Sequence, residues 1–194
     1  TESLVEIVRS GTLSRVREAV KSGGIDLNAF SPVRIGKMTG ITPLIAATLE
    51  PDKEKRAELV NILLDAGSDV NVEAEGGGGG TALTIAVLQN SVETCELLLG
   101  QDAIEVDGTD ASGNPLIMAA QLGHAEITSL LIDAGADPNW YSPSPIDATP
   151  LLMAAAKGRL DVVELLLAAG AKLGFENSKG VSAHVAAALD VPVS

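Results

Sequence analysis

Two kinds of apolar run alternate along this chain, separated by breaks rich in Gly, Asn and Asp. The first is a short run of small and aliphatic residues that opens on a hydroxyl or amide side chain. It occurs at Thr42 to Ala47, Thr81 to Ala86, Asn114 to Ala119, Thr149 to Ala154 and Ser182 to Ala187. Each opening side chain offers an oxygen to the orphan amides of a first helical turn, so each marks a predicted helix start. In three of them Pro43, Pro115 or Pro150 follows at the first helical position, where the missing N–H costs little and the fixed φ already suits a helix. Small residues behind, such as Ala154 and Ala155, leave room for a second helix to approach.

The second run follows a break at Gly123-His124 or Gly158-Arg159 and is more apolar, most clearly in Val162, Val163, Leu165, Leu166 and Leu167. Most faces of that helix should be buried. Gly67, Gly135 and Gly170 then supply the left-handed residue that ends many helices, and Asp69, Asn71, Asp137 and Asn139 begin a turn-rich segment. The predicted unit is helix, turn, helix, projecting loop, and its starts lie 39, 33, 35 and 33 residues apart. A unit of about 33 residues is too short to bury its own apolar face, so copies must stack into a solenoid. The long spacing calls for extra residues near Pro51 to Arg56, ahead of the second helix, and in the loop before Thr81; a longer loop before Thr149 accounts for the spacing of 35.

These residues resemble the ankyrin repeat, with its T-P-L-H-x-A start, glycine turn, leucine-rich second helix and closing A-G-A-D-V-N. Ala134-Gly135-Ala136-Asp137-Pro138-Asn139 and Ala66-Gly67-Ser68-Asp69-Val70-Asn71 are close matches. The resemblance covers nearly the whole chain and implies an all-α fold, an ankyrin-like solenoid of stacked helix-turn-helix repeats with projecting β-hairpin-type loops. It implies a single domain over residues 1–194, with a degenerate N-terminal unit at about 1–28, four fuller units at about 29–173 and a partial C-terminal unit at about 174–194. Ser3 to Ser22 reads as a helix pair without the T-P-L start, and Ser182 to Leu189 as a terminal cap in which His184 replaces the usual leucine. The family's histidine at the fourth hexapeptide position is replaced by Ile45, Thr84, Ile117, Leu152 and Val185. Asn71 and Asn139, with Leu63 and Leu131 eight residues upstream, fall where ankyrin-like proteins can be hydroxylated; the other reading is a hydrogen-bonding turn residue.

Composition narrows the function. The 194 residues are 46% hydrophobic but only 2% aromatic, so the core must be filled by Ala, Leu, Ile and Val, which suits closely packed helices. A net charge of -13 would repel nucleic-acid phosphates and points to a cationic partner. Cys95 is the only cysteine, which excludes an internal disulfide framework and fits a reducing compartment, hence a cytoplasmic or nuclear location. No apolar run approaches the roughly 18 to 20 residues that span a bilayer, and the first dozen residues lack the layout of a secretory signal, so no membrane is expected.

Catalysis needs converging nucleophiles, bases or metal ligands, whereas one cysteine and two histidines stand far apart here. The expectation is no enzyme, no metal and no cofactor. Cys95 falls among the apolar positions of a helix from Val92 to Leu99 and reads as a small buried hydrophobe, while His124 sits in an interhelical turn. Gly76 to Gly80 lacks the preceding strand and following lysine of a phosphate-cradling loop and reads as a flexible tip.

Binding is the remaining class. The four aromatic residues, Phe30, Trp140, Tyr141 and Phe175, lie in predicted loops, either as anchors for a partner or as packing between loops. Pro143, Pro145 and Pro150 restrict the loop that carries Trp140 and Tyr141. The resemblance puts an inner surface on the loops and first helices, where Leu49-Glu50, Leu88-Gln89, Gln121-Leu122 and Ala156-Lys157 correspond, extended by Met38 and Ile41. Such a leucine row could receive the apolar stripe of a peptide or helix, or could be ordinary packing between repeats. Arg34 and Lys37 mark the first loop as basic, whereas the next two carry Glu73, Glu75, Glu105, Asp107 and Asp110.

The expected function is a monomeric, noncatalytic adaptor or inhibitor that binds a protein partner bearing a basic or apolar segment across its loops and concave groove. The residues expected to meet that partner are Met38, Ile41, Leu49, Leu88, Gln89, Asp110, Gln121, Leu122, Trp140, Tyr141 and Lys157. A targeting segment of a larger enzyme or bacterial effector and a self-associating structural module are the alternatives.

Overall fold

Four side-chain oxygens fix where the first helices begin in the computed structural model, which describes residues 2–32, 38–76, 80–108, 113–143 and 147–182. The amides of Ile45, Thr84, Ile117 and Leu152 donate to the side-chain oxygens of Thr42, Thr81, Asn114 and Thr149 at 3.3, 3.3, 2.8 and 3.2 Å. Each cap is worth about 1 kcal/mol. These amides belong to the fourth hexapeptide position, and there the side chains of Ile45, Ile117 and Leu152 are buried in the core. Thr84 is buried too, and its hydroxyl donates to the Thr81 carbonyl at 2.9 Å. The fifth start is visible only at Ser182; His184, Val185 and the remainder of the terminal cap lie outside the described residues.

The first helices are α3 (Pro43–Thr48), α5 (Ala82–Leu88), α7 (Pro115–Leu122) and α9 (Pro150–Ala156), each followed by a second helix: α4 (Lys53–Asp65), α6 (Val92–Leu99), α8 (Ala125–Asp133) and α10 (Leu160–Ala168). The degenerate N-terminal pair is α1 (Leu4–Ser10) and α2 (Leu13–Lys21), started by a Ser3–Glu6 capping box and by Thr12. Gly67, Gly135 and Gly170 adopt φ of 91°, 94° and 88°. That turn lets the amides of Ser68, Ala136 and Ala171 reach back to the carbonyls of Leu63, Leu131 and Leu166 at 3.0, 3.0 and 2.9 Å, closing three helices as expected.

The chain forms two compact units, residues 1–86 with 93–104, and residues 87–92 with 105–194. In the first, α1 packs on α3 and α2 on α4, around Val5, Val8, Val16, Leu44, Leu59 and Leu63. In the second, α7 packs on α9 and α8 on α10, around Leu116, Ile127, Leu131, Leu151 and Leu166. Within each unit, then, one helix pair lies on the next, and the class is all-α.

The extra residues near Pro51 are not all ahead of the second helix. Helix α4 starts at Lys53, capped by Asp52, and runs 13 residues against 8 for α6 and 9 for α8 and α10. Part of the insertion therefore lengthens the helix. Buried Arg56 stabilises the arrangement by donating from Nε to the Glu50 carbonyl at 2.6 Å and from Nη2 to the Pro51 carbonyl at 3.4 Å.

Hairpin-type loops are closed by single bridges at Ser31 and Ile41, Ser142 and Ala148, and Glu176 and Ser182. Strand β1 (Met38–Thr39) also pairs antiparallel with β2 (Glu75–Gly76). Gly76 thus belongs to a ladder rather than to a loose tip, and residues 77–79 lie outside the description.

Candidate protein-binding surface

Exposed leucines sit where two of the first helices stop, shifted by one place between the two repeats. In the second unit Leu88, the last residue of α5, is 57% exposed, and Leu122, the last residue of α7, is 38% exposed. Gly123 ends α7 at φ 81°, and Arg159 lies over that turn, donating from Nε to the Gln121 carbonyl at 3.3 Å. A cation suits a helix C-terminus, where unpaired carbonyls concentrate partial negative charge. Gln89 and Gln121 are exposed beside these leucines, and Lys157, also exposed, caps α9. In the first unit Leu49 caps α3 and Met38 lies in β1, both half-buried. Ile41 departs from the expectation: it is wholly buried and its carbonyl accepts the Ser31 amide at 3.0 Å, so its side chain faces the core instead of a partner. Asp110 lies outside the described residues.

The adjacent rings of Trp140 and Tyr141 take opposite roles. Trp140 is half-buried and packs against a cluster of Ile117, Ala148, Leu152 and Met153, so the helical core does use one of the loop aromatics. Tyr141 stays 42% exposed. Its hydroxyl donates to Asp147 Oδ1 at 2.8 Å, and its ring centroid lies 4.9 Å from that of Phe175 at an interplanar angle of 45°. Asp147 holds a left-handed φ of 51° and also accepts from the Ser178 amide, 3.2 Å from each oxygen, and from the Ser178 hydroxyl. Those bonds, from the Ser178 hydroxyl first and then Tyr141 and the Ser178 amide, hold the Asp147 carboxyl below its ordinary pKa, and nearby Lys179 adds to the effect. The same Tyr141–Asp147 bond pushes the phenol up. Sequence reasoning missed Asp147 and Ser178, because nothing local marks an aspartate that will take a left-handed turn. In the first unit Phe30 is 48% exposed.

The turn asparagines are occupied. Asn71 Nδ2 donates to the Ala103 carbonyl at 2.7 Å, and Asn139 Nδ2 donates to the Gly170 carbonyl at 3.2 Å while its Oδ1 accepts the Lys172 amide at 2.8 Å. Asn28 and Asp107 serve the same purpose, accepting the amides of Asp69 and Asp137 at 2.9 and 3.1 Å. Each side chain ties its loop to the following one, which is the turn role of the two readings given above for the asparagines.

Burial pushes the Cys95 thiol up to about 12, with Glu96 adding to the shift, so its reactive thiolate is suppressed at neutral pH. His124 starts α8 without capping it, and partial burial together with Arg159 lowers its pKa. Among the described residues no group of three His, Cys, Asp or Glu side chains is placed to hold a metal ion, and no helix is long and apolar enough to cross a membrane.

The mouse ankyrin repeat domain-containing protein 63 is 32% identical over 132 residues, which is 64% of this chain and 33% of that protein. A segment of 81 residues, 41% of the chain, is 40% identical to the chicken nuclear factor NF-kappa-B p105 subunit, of which it covers 8%. The Arabidopsis thaliana E3 ubiquitin-protein ligase KEG is 33% identical over 108 residues, 55% of the chain and 7% of the ligase. The chain thus spans about a third of the first of these relatives and far less of the other two. A family model for ankyrin repeats in three copies matches residues 4–110, 44–141 and 104–179, and with nearly the whole length so matched the chain belongs to the ankyrin-repeat family.

Proposed function

We propose that this chain is a noncatalytic adaptor or inhibitor that docks a protein partner on the exposed ends of its first helices and on the neighbouring loops. Ankyrin repeats generally serve as protein–protein interaction modules, and the particular role of this chain is argued from its surface. The observation that carries it is the pair Leu88 and Leu122, held in water at the C-terminal ends of otherwise well-buried first helices, the second shifted by one place in the repeat. Covering one such leucine is worth about 2 kcal/mol, enough to favour a partner with an apolar stripe. Net charge of -13 supports a protein rather than a nucleic-acid partner, and a monomer in the cytoplasm or nucleus is the proposed setting.

A second reading is favoured by the short coverage of the relatives: the chain acts as the targeting segment of a larger protein, with any catalysis elsewhere. The full-length gene discriminates the two. For the docking surface itself, the test compares capture from native lysate by the full chain and by a Leu88→Glu/Leu122→Glu variant, with thermal unfolding checked in parallel. Both positions are exposed, so the variant should fold. Loss of the same captured protein at least tenfold is expected, and equal capture by both would remove the helix ends from the interface.

A further inference from the structure

The second unit carries an aromatic corner, Tyr141 exposed and Phe175 half-buried, that core packing does not explain. Trp140 is turned into the core, but its neighbour Tyr141 is held outward, leaning at 45° on Phe175 so that the two rings make an angle rather than a sealed stack. Asp147 fixes that position by accepting from three groups, the Tyr141 hydroxyl and the amide and hydroxyl of Ser178. A ring pinned in this way loses little further freedom when a partner covers it.

Charge says what should cover it. Ring faces are negative, Asp147 is an ionised carboxylate beside them, and Glu176 next to Phe175 is exposed. Between Arg56 and Lys157 the chain contains 15 Asp and Glu residues and no Lys or Arg. One cation near Asp147 is Lys179, whose compact ammonium is strongly hydrated. A guanidinium differs: it is planar, weakly hydrated and able to lie on a ring while its edge faces a carboxylate.

We propose that the Tyr141–Phe175 corner receives an arginine side chain of the partner, with the guanidinium over the rings and its edge toward Asp147. The proposal rests on the protein-binding reading and names one residue type that the partner supplies. Tyr141 is the sole tyrosine and Phe175 one of two phenylalanines, so their ring resonances can be followed in the intact chain.

The test titrates the full chain with acetyl-Gly-Arg-Gly-amide and with matched peptides carrying citrulline, lysine or glutamate in place of the arginine. Saturable shifts of the Tyr141 and Phe175 rings are expected, with the arginine peptide binding about three- to tenfold more tightly than the citrulline peptide. Phe175→Leu should abolish that preference, and Asp147→Asn should reduce it. Equal shifts from arginine, citrulline and glutamate, or none at millimolar peptide, overturn the proposal on the unaltered chain, whatever the variants do. Such a failure leaves capture through Leu88 and Leu122 untouched. Conversely, arginine docking alongside undiminished capture by the double-leucine variant would support the corner and count against the helix ends.

Discussion

Two loops of this protein are each closed by a single bridge, yet they are fastened in opposite ways. The loop from Ser31 to Ile41 in the first unit is tied by backbone: β1 pairs with β2, and the Glu75 amide donates to the Gly40 carbonyl at 3.2 Å. The loop from Ser142 to Ala148 in the second unit, together with Tyr141 before it, is tied to its neighbour by side chains meeting on Asp147. Backbone ties consume the main chain and select for conformation, as Gly40 shows with φ of 61°. Side-chain ties depend on ionisation and can hold a ring out where a partner could meet it.

The largest effect should come from Trp140→Ala, which empties the packing beneath the second loop. Full burial of such a ring would make the loss about 3 to 5 kcal/mol, and half-burial reduces it to about 2 kcal/mol, read by chemical denaturation. A change of a few tenths would mean that the ring packs only loosely. Gly40→Ala comes next, because a methyl there is built in a left-handed conformation and runs into the Glu75 side chain. A cost of about 1 kcal/mol is expected, with faster exchange of the Glu75 amide and no change at Tyr141.

Asp147→Ala should act locally. Exchange of the Ser178 amide should speed up and the Tyr141 phenol should titrate nearer its ordinary value, while β1 and β2 remain paired. Persistence of the raised phenol would show that Asp147 is not its cause.

The smallest effect is the pH response of the second loop. Asp147 titrates below its ordinary 3.8, so its ties are complete above that value and are lost as pH falls through the depressed pKa. Tyr141 titrates above its ordinary 10.0, so its contribution is complete below that value and is lost as pH rises through the raised pKa. Ring resonances of Tyr141 and Phe175 should therefore hold steady between those limits and move outside them. Movement near neutrality would assign the tie to other groups.

The difference between the loops also explains what the sequence could disclose. Caps at Thr42, Thr81, Asn114 and Thr149 act within one helical turn, and the glycine turns at Gly67, Gly135 and Gly170 within one more, so the helix pairs were legible from local chemistry. The start of α4 was not: Pro51 looks like a break, and the burial of Arg56 depends on carbonyls five and six residues behind it. Trp140 and Tyr141 were indistinguishable as letters because their fates depend on where Ile117, Leu152 and Phe175 arrive in space. Ile41 shared the composition of a surface row but closes a bridge from the inside. Asp147 and Ser178 are 31 residues apart, beyond any local pattern.

Hydrogen exchange of the full chain, alone and with its captured partner bound, most directly tests whether the first-helix ends form the docking surface. The account predicts slowed exchange at Gln89–Asn90 and at Leu122–Gly123, where helix-end amides open most readily. Unchanged exchange at both places, with slowing confined to α8 and α10, would contradict it.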